Sequence, residues 1–221
     1  MKTPLLFAFL FAFSSVGFGQ VTSPPDTSKK NFNNVIGVDL AALIILVSNG
    51  EGSSYLNQPY MLTYRHFFKS NGIRIGIGGN FDKSASENSD STTTDSERYL
   101  VNAGIGYERY VYLSRRWNFY FGADAIFRFE HRSSYDQWNP TSSRNERWEG
   151  FGFGVSPVLG IQFKVSQRIS LATETSYDVL YYKRMTERYS KPNSIYDTKS
   201  DYWSLKTTYY PPTTVSLRVH F

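Results

Sequence analysis

The 221-residue chain has three histidines, and His131 stands in His131-Arg132-Ser133, two residues ahead of a serine. A histidine beside a serine can take the hydroxyl proton and make the oxygen a nucleophile, and a carboxylate such as Glu146 or Glu149 could orient the imidazole. The competing reading is a histidine placed where loop polarity begins, directly after Glu130. One short spacing is weak evidence, so no residue is assigned as catalytic and the chain is not expected to be an enzyme. Glu87, Asp90 and Asp95 fall in a Ser/Thr-rich stretch whose spacing matches no calcium loop. His66 and His220 have no second ligand at metal-binding spacing, so neither metal nor cofactor is expected. Gly76-x-Gly78-Gly79 and Gly150-x-Gly152-x-Gly154 repeat every second residue, as small residues on one face of a strand do, and are not phosphate loops. There is no cysteine, hence no thiol chemistry and no disulfide.

What remains is a set of charged residues at regular places: Arg65, Arg74, Glu108, Asp124, Arg128, Lys164, Glu174, Asp178 and Arg218. Each lies on the polar parity of a segment whose other parity is apolar. Asn34 to Leu46 puts Ile36, Val38, Leu40 and Ala42 on one face. Pro59 to Phe68 puts Tyr60, Leu62, Tyr64 and Phe68 together, and Gly72 to Phe81 does the same with Ile73, Ile75, Ile77 and Phe81. Tyr99 to Leu113 carries Val101, Ala103, Ile105 and Tyr107, with Arg109 breaking the parity at a bulge or a boundary. The segment from Trp117 is the clearest, with Trp117, Phe119, Phe121, Ala123, Ala125, Phe127 and Phe129 against Asn118, Tyr120, Gly122, Asp124, Arg128 and Glu130. Gly150 to Lys164 carries Phe151, Phe153, Val155, Leu159, Ile161 and Phe163, and its Pro157 marks a bulge or irregularity. Arg168 to Tyr182 carries Ile169, Leu171, Tyr177, Val179 and Tyr181, and the last segment carries Val215, Leu217, Val219 and Phe221. Period-two alternation is the mark of a strand with two unlike faces.

The connections alternate as well. Lys69-Ser70-Asn71-Gly72, Ser114-Arg115-Arg116 and Ser166-Gln167 are tight, the first through its Asn-Gly pair. Ser48 to Gln58, Asp82 to Arg98, His131 to Trp148 and Lys183 to Thr208 are long and polar. Short turns at one end and long loops at the other predict an all-β, up-and-down antiparallel barrel of about eight strands that spans a membrane, with periplasmic turns and extracellular loops.

A soluble barrel would turn the apolar faces inward around a ligand. The order of residues along those faces argues for lipid instead. Trp117 and Phe119 stand at one end of their strand and Phe127 and Phe129 at the other, with alanines between. Phe151 and Phe153 stand opposite Phe163 in the same way, and Tyr177 and Tyr181 join the girdles. Twelve residue steps from Phe151 to Phe163, at ~3.3 Å each and a tilt of ~45°, rise roughly 28 Å, close to a hydrocarbon core of ~30 Å. Eight closed strands leave a lumen that side chains can fill, so the nine charged residues are expected to pair there as a polar plug.

Met1 to Gln20 reads as a secretory leader: Lys2, an apolar run from Leu5 to Phe13, and small residues ahead of a cut before Gln20 or Val21. Residues 1–19 are therefore expected to be removed, 20–31 to be a Pro/Ser/Lys-rich linker, and 32–221 to form the barrel. The formal charge is +5, but the two signs are interspersed, which excludes a nucleic-acid footprint. Mean hydropathy is −0.41, an average that conceals half-apolar strands.

The closing alternation Val215, Leu217, Val219, Phe221 resembles the C-terminal insertion signal that the barrel assembly machinery reads. Gly104-Ile105-Gly106-Tyr107-Glu108-Arg109-Tyr110-Val111-Tyr112-Leu113-Ser114-Arg115-Arg116-Trp117 resembles the strand–turn–strand of small outer-membrane barrels of Bacteroidetes, similar in architecture to the OmpA and OmpX class. The resemblance implies a monomeric bacterial outer-membrane protein, with outer-membrane lipid around it and a structural or surface-interaction role for its loops. A narrow porin-like conduit for small solutes is the alternative. A further one is a lipid-modifying enzyme, since His131-x-Ser133 resembles the pair used by outer-membrane lipid A deacylases.

Overall fold

A computed structural model describes residues 32–42, 59–87, 93–139, 142–191, 197–213 and 215–221. The leader and linker expected over 1–31, and the stretch 43–58, lie outside the described residues. Among the described residues nine strands form one antiparallel sheet: β1 Asn34–Asp39, β2 Leu62–Phe68, β3 Asn71–Glu87, β4 Thr93–Tyr112, β5 Trp117–Asn139, β6 Ser142–Lys164, β7 Ile169–Lys191, β8 Thr198–Tyr210 and β9 Ser216–His220. Each of β1 to β7 pairs with its sequence neighbour, and β9 pairs with both β7 and β1. Strands β8 and β9 lie end to end along β7, β8 against Ser176–Arg188 and β9 against Ile169–Ala172. They make one interrupted stave, broken where Pro211 and Pro212 remove two backbone donors. The hydrogen bonds therefore run through eight staves and return to the first, a barrel-like ring.

The register sets the tilt of the staves. From Trp117 the ladder passes Phe163, Leu171, Leu217, Val38, Leu62, Ile77 and Ala103, and returns to β5 at Phe127, ten residues beyond its start (127 − 117 = 10). Ten steps of ~3.3 Å against eight spacings of ~4.8 Å tilt the strands by about 41° and give a ring radius of about 8 Å. Such a ring holds side chains and little else. Inward parity is buried accordingly, in Arg65, Arg74, Glu108, Tyr120, Asp124, Gln162, Asp178 and Arg218, while Ile75, Ile105, Phe127, Phe153 and Val155 on the other parity are exposed.

Three tight turns close one end. Leu113 N and Ser114 N donate to Trp117 O, and Trp117 N donates to Ser114 Oγ. The β6–β7 turn repeats the device: Val165 N and Ser166 N donate to Ile169 O, and Ser166 Oγ accepts from Arg168 N and Ile169 N. The β2–β3 turn differs from expectation. Its two loop residues are Lys69 and Ser70, with Phe68 paired to Asn71, so Asn71-Gly72 opens β3 instead of forming the turn. Lys69 takes the positive φ of 62° that this hairpin needs at its first position. Arg109 pairs in register with both Asn71 and Phe121, so no bulge lies there and the residue marks the rim. Around Pro157 the β6–β7 ladder skips from Val155↔Val179 to Val158↔Ser176, because proline cannot donate.

At the other end three of the stretches expected as loops are largely paired strand. The β3–β4 ladder continues from Asp82↔Arg98 to Glu87↔Thr93, β5–β6 from His131↔Glu149 to Asn139↔Ser142, and β7–β8 from Lys183↔Trp203 to Arg188↔Thr198. Their aromatic residues, such as Tyr135, Trp138, Tyr189 and Tyr202, are scattered among polar ones without a sustained period of two, so apolar alternation could not reveal them. Cross-strand ion pairs follow the register instead: Lys83 opposes Glu97 at 2.6 Å, Lys199 opposes Glu187 at 2.6 Å, and Lys183 meets Asp201 diagonally at 3.1 Å.

The first segment is also shorter than expected. Strand β1 stops at Asp39, whose Oδ1 accepts from Ala42 N at 3.0 Å and caps the helical residues 40–42, so Leu40 and Ala42 do not continue the outward face and Ala42 is buried. Tyr60, expected outside with Leu62 and Tyr64, precedes β2 and is buried inside the ring. Its ring lies against Gly76 and Gly104, where a Cβ would occupy the same space. Because β1 and β2 are short, β8 and the part of β3 beyond Ile77 are, among the described residues, hydrogen-bonded to a neighbouring strand on one side only.

Candidate functional site

The inward side chains stack in layers. Nearest the tight turns, Tyr110 and Tyr120 stack with centroids 5.0 Å apart, and Phe67 meets Tyr110 edge-on at 4.9 Å. Val158 and Ala172 complete that buried group. Above it one carboxylate gathers four partners. Glu174 Oε2 accepts from Arg65 Nη2 at 3.3 Å, Arg74 Nη1 at 3.1 Å, Arg218 Nη2 at 3.3 Å and Tyr120 Oη at 2.9 Å. Arg65 also reaches Glu108 at 3.1 Å, and Arg74 grips Asp124 with both Nε and Nη2. Arg218 donates further to Tyr110 at 3.1 Å and Tyr120 at 2.6 Å.

This cluster of three arginines and three carboxylates is neutral in sum. Charges taken out of water are tolerable only when each is paired and hydrogen-bonded, and here the pairing is shared among strands β2, β3, β4, β5, β7 and β9. Glu174 is the most open member, its side chain 15% exposed against 1% for Arg65 and Arg218. It borders a small cavity with Asp39, Tyr60, Thr63 and Ser216, with room for about one water molecule. Lys164 stands apart from the cluster. It lies half-buried at the tight-turn rim, opposite Ser170, with Nζ 5.4 Å from the Tyr112 ring centroid.

A second group sits beyond Tyr60, Ile126 and Leu180, an apolar layer inside the ring. Arg128 donates to Asn102 Oδ1, Asp178 Oδ2 and Tyr210 Oη at 2.7, 2.7 and 2.6 Å. Glu130 accepts from Arg98 at 2.7 Å and from Tyr182 at 3.3 Å. Parity analysis puts Arg128, Glu130 and Tyr120 on the inward face. Tyr182 shares the inward parity of Glu174 and Asp178, whereas Tyr60, expected on the outer face, and Arg98, expected in a loop, also turn inward.

On the outward side Trp117, Phe127, Phe129, Phe153, Tyr177 and Tyr181 are exposed, and Phe119, Phe151 and Phe163 are half-buried among neighbours. Trp117 meets Phe163 at 4.8 Å and Phe153 meets Tyr181 at 5.9 Å. Val215, Val219 and Phe221 are exposed and Leu217 is half-buried. Twelve steps from Trp117 to Phe129 at the 41° tilt set by the register rise about 30 Å.

His131 continues the outward face beyond Phe129. Its Nδ1 lies 3.4 Å from Glu149 Oε1, and its ring lies 5.8 Å from that of Tyr99. Ser133 is the next residue on that face. Arg147 competes for the same carboxylate oxygen at 2.5 Å. His66 is exposed with Nδ1 2.9 Å from Asn34 Oδ1, and His220 Nε2 lies 2.8 Å from Ser170 Oγ, so both are engaged at the tight-turn rim. No family model matches this chain, and no curated protein matches it.

Proposed function

We propose that the chain is an integral β-barrel protein of a bacterial outer membrane that anchors long, stiff hairpins outside the cell for surface interaction. The observation that carries this reading is the inversion of polarity. Arginines and carboxylates fill the ring, while isoleucine, phenylalanine, valine and leucine cover its outside, up to Leu205 at 70% exposure. Water-soluble monomers do not leave apolar patches of that extent uncovered. Lipid does not penalise them, and toward the tight turns the hydrogen bonds run round all eight staves, as lipid requires of a sheet. The distance of about 30 Å between the aromatic rows at Trp117 and Phe129 equals the thickness of a hydrocarbon core. Beyond it, β5 continues from Glu130 to Asn139, about 25 Å of paired, polar hairpin that would stand in the medium. The filled interior favours an anchor over a conduit.

Expressed in a Gram-negative host, the protein is expected to fractionate with the outer membrane. After refolding in detergent it is expected to migrate differently on gels before and after boiling. A monomer in detergent-free buffer, with Phe127, Val155 and Leu217 shielded inside a cavity, would refute the reading. A pull-down of surface components with and without the β7–β8 hairpin shortened tests the interaction role.

A second reading has one observation in its favour. Glu149, His131 and Ser133 follow one another on the outward face just above the apolar band, with the imidazole at 3.4 Å from the carboxylate. That order suits ester hydrolysis in an outer-leaflet lipid, with His131 as base and Ser133 as nucleophile. Mass profiles of membrane lipid from cells carrying the wild type and His131→Ala decide it; identical profiles end it.

A further inference from the structure

The two ends of the ring differ in charge. On the hairpins cations and carboxylates meet across the ladders, as in Lys83 with Glu97, Arg188 with Glu146 and Lys199 with Glu187. The tight-turn rim carries one sign. Lys69 stands in the β2–β3 turn, Arg109 near the end of β4, Arg115 and Arg116 in the β4–β5 turn and Arg168 just ahead of β7. All five are exposed, and among the described residues none of them forms an ion pair. Lys164 adds a sixth positive charge beside the Tyr112 ring. Among the described residues the acidic side chain nearest this rim by register is Glu108, which is buried inside the ring and bonded to Arg65. A carboxylate at Phe221, where the sequence ends, would offset one charge of the six.

Backbone bonds set these cations side by side. Tyr110 N donates to Ser70 O at 2.8 Å, which fixes the Lys69 turn beside Arg109. Lys164 N donates to Arg116 O at 2.8 Å, which joins the β4–β5 turn to the end of β6. With a step of about 3 Å in height from stave to stave, the register puts Lys69, Arg116, Lys164 and Arg168 within about 5 Å of the level of Trp117. Arg109 stands higher, opposite Phe121, four residues along β5 from Trp117 (121 − 117 = 4). It shares the parity of Ile105 and Tyr107, so its side chain leaves the ring on the apolar side, flanked by Asn71 and Phe121. A cation beside an apolar band is unfavourable unless its long side chain carries the charge to an interface where an anion meets it.

We propose that the exposed cations of the tight-turn rim, Lys69, Arg109, Arg115, Arg116 and Arg168, form a collar that binds the headgroups of anionic phospholipids in the leaflet on that side. The inference rests on the membrane reading. Exposed Tyr112, Leu113, Trp117, Val165 and Ile169 are interspersed with the cations along the same rim. A partner must therefore offer apolar and anionic surface together. A lipid leaflet does so, with acyl chains directly beside phosphates, whereas a soluble acidic protein offers only the charge. The forked donors of arginine match phosphate oxygens, and a lysine beside them adds a point charge. Basic residues at the surface of an anionic leaflet are attracted to it within a Debye length, so the collar sets the height at which the ring rides in the bilayer.

The test uses the refolded full chain in phosphatidylcholine vesicles that hold a trace of spin-labelled phosphatidylglycerol or spin-labelled phosphatidylcholine. The fraction of each label that the protein restricts in motion is read by electron paramagnetic resonance. The wild type is expected to favour phosphatidylglycerol by about threefold or more at low salt, and less as salt rises. The variant Lys69→Gln/Arg109→Gln/Arg115→Gln/Arg116→Gln/Arg168→Gln is expected to lose that preference, and Arg109→Gln/Arg116→Gln to lose part of it. Lys83→Gln/Lys199→Gln, on the hairpins, is expected to match the wild type. Equal restriction of the two labels by the wild type overturns the proposal and leaves the barrel reading standing. So does a full preference in either collar variant that keeps heat-modifiable mobility. A wild type without lipid preference that binds polyglutamate in detergent assigns the collar to an acidic polypeptide instead. Restriction of neither label overturns the membrane reading itself, and the collar with it.

Discussion

Glu174 is the residue on which the interior depends most. Three arginines and a tyrosine share its one oxygen, so removing its charge leaves Arg65, Arg74 and Arg218 short of a counterion at once. Breaking a buried pair from one side costs about 3–5 kcal/mol, because the remaining charge stays buried. Glu174→Gln is expected to lower stability by that order, read as an earlier unfolding midpoint in urea from detergent micelles; an unchanged midpoint would mean that water already screens the cluster. Gly160 faces Tyr120 so closely that an added Cβ would overlap the phenol carbon and oxygen. Tyr120 is held by Glu174, Arg218 and Tyr110 and cannot withdraw. Gly160→Val is therefore expected to cost about 1–3 kcal/mol in the same assay. Lys69 presents the opposite case. Its positive φ is strained for a side-chain-bearing residue, and Lys69→Gly is expected to stabilise by up to about 1 kcal/mol.

At the scale of elements, the hairpins beyond the apolar band depend on charge pairs set by register. Hydrogen bonding from Arg188 is the main cause that holds the Glu146 carboxylate below its ordinary pKa; burial opposes it, and Arg144 adds to it. A lowered folded pKa means the stabilising contribution is full above the ordinary carboxylate value and is lost as pH falls through the lowered one. Acidification is thus expected to loosen the β6–β7 tip before the ring. Amide exchange across residues 144–147 and 186–189, corrected for intrinsic rates, should rise at low pH while exchange at 153–155 stays slow. Equal protection at all pH values would show that backbone pairing alone holds the tip. The elements also explain why β1 and β2 are short: Asp39 caps a helical turn where a strand was expected, and Tyr60 turns into the glycine-lined interior.

For the molecule as a whole, a ring of about 8 Å radius packed with ion pairs and tyrosines should pass no steady ion current. Planar-bilayer recordings of the refolded protein are expected to stay silent at all voltages; stepwise conductance would favour the conduit. Arg74→Ala would open space beside Asp124 and Glu174, and it is the variant in which leakage should first appear.

Much of this architecture was legible in the amino-acid order. Period-two alternation from Trp117 to Glu130 and from Phe151 to Lys164 states which side chains go in and which go out, because a strand offers only two faces. It did so without knowledge of any neighbour. The closure of the ring, the stagger of ten residues and the meeting of Arg65, Arg74 and Arg218 at Glu174 depended on tertiary structure. Those contacts join residues as far apart as Val35 and His220, 185 positions (220 − 35), and no local pattern encodes which register brings them level. The paired hairpins and the inward Tyr60 were hidden for a related reason: the hairpins carry no regular apolar rhythm, and an aromatic just ahead of a strand does not reveal which way it turns.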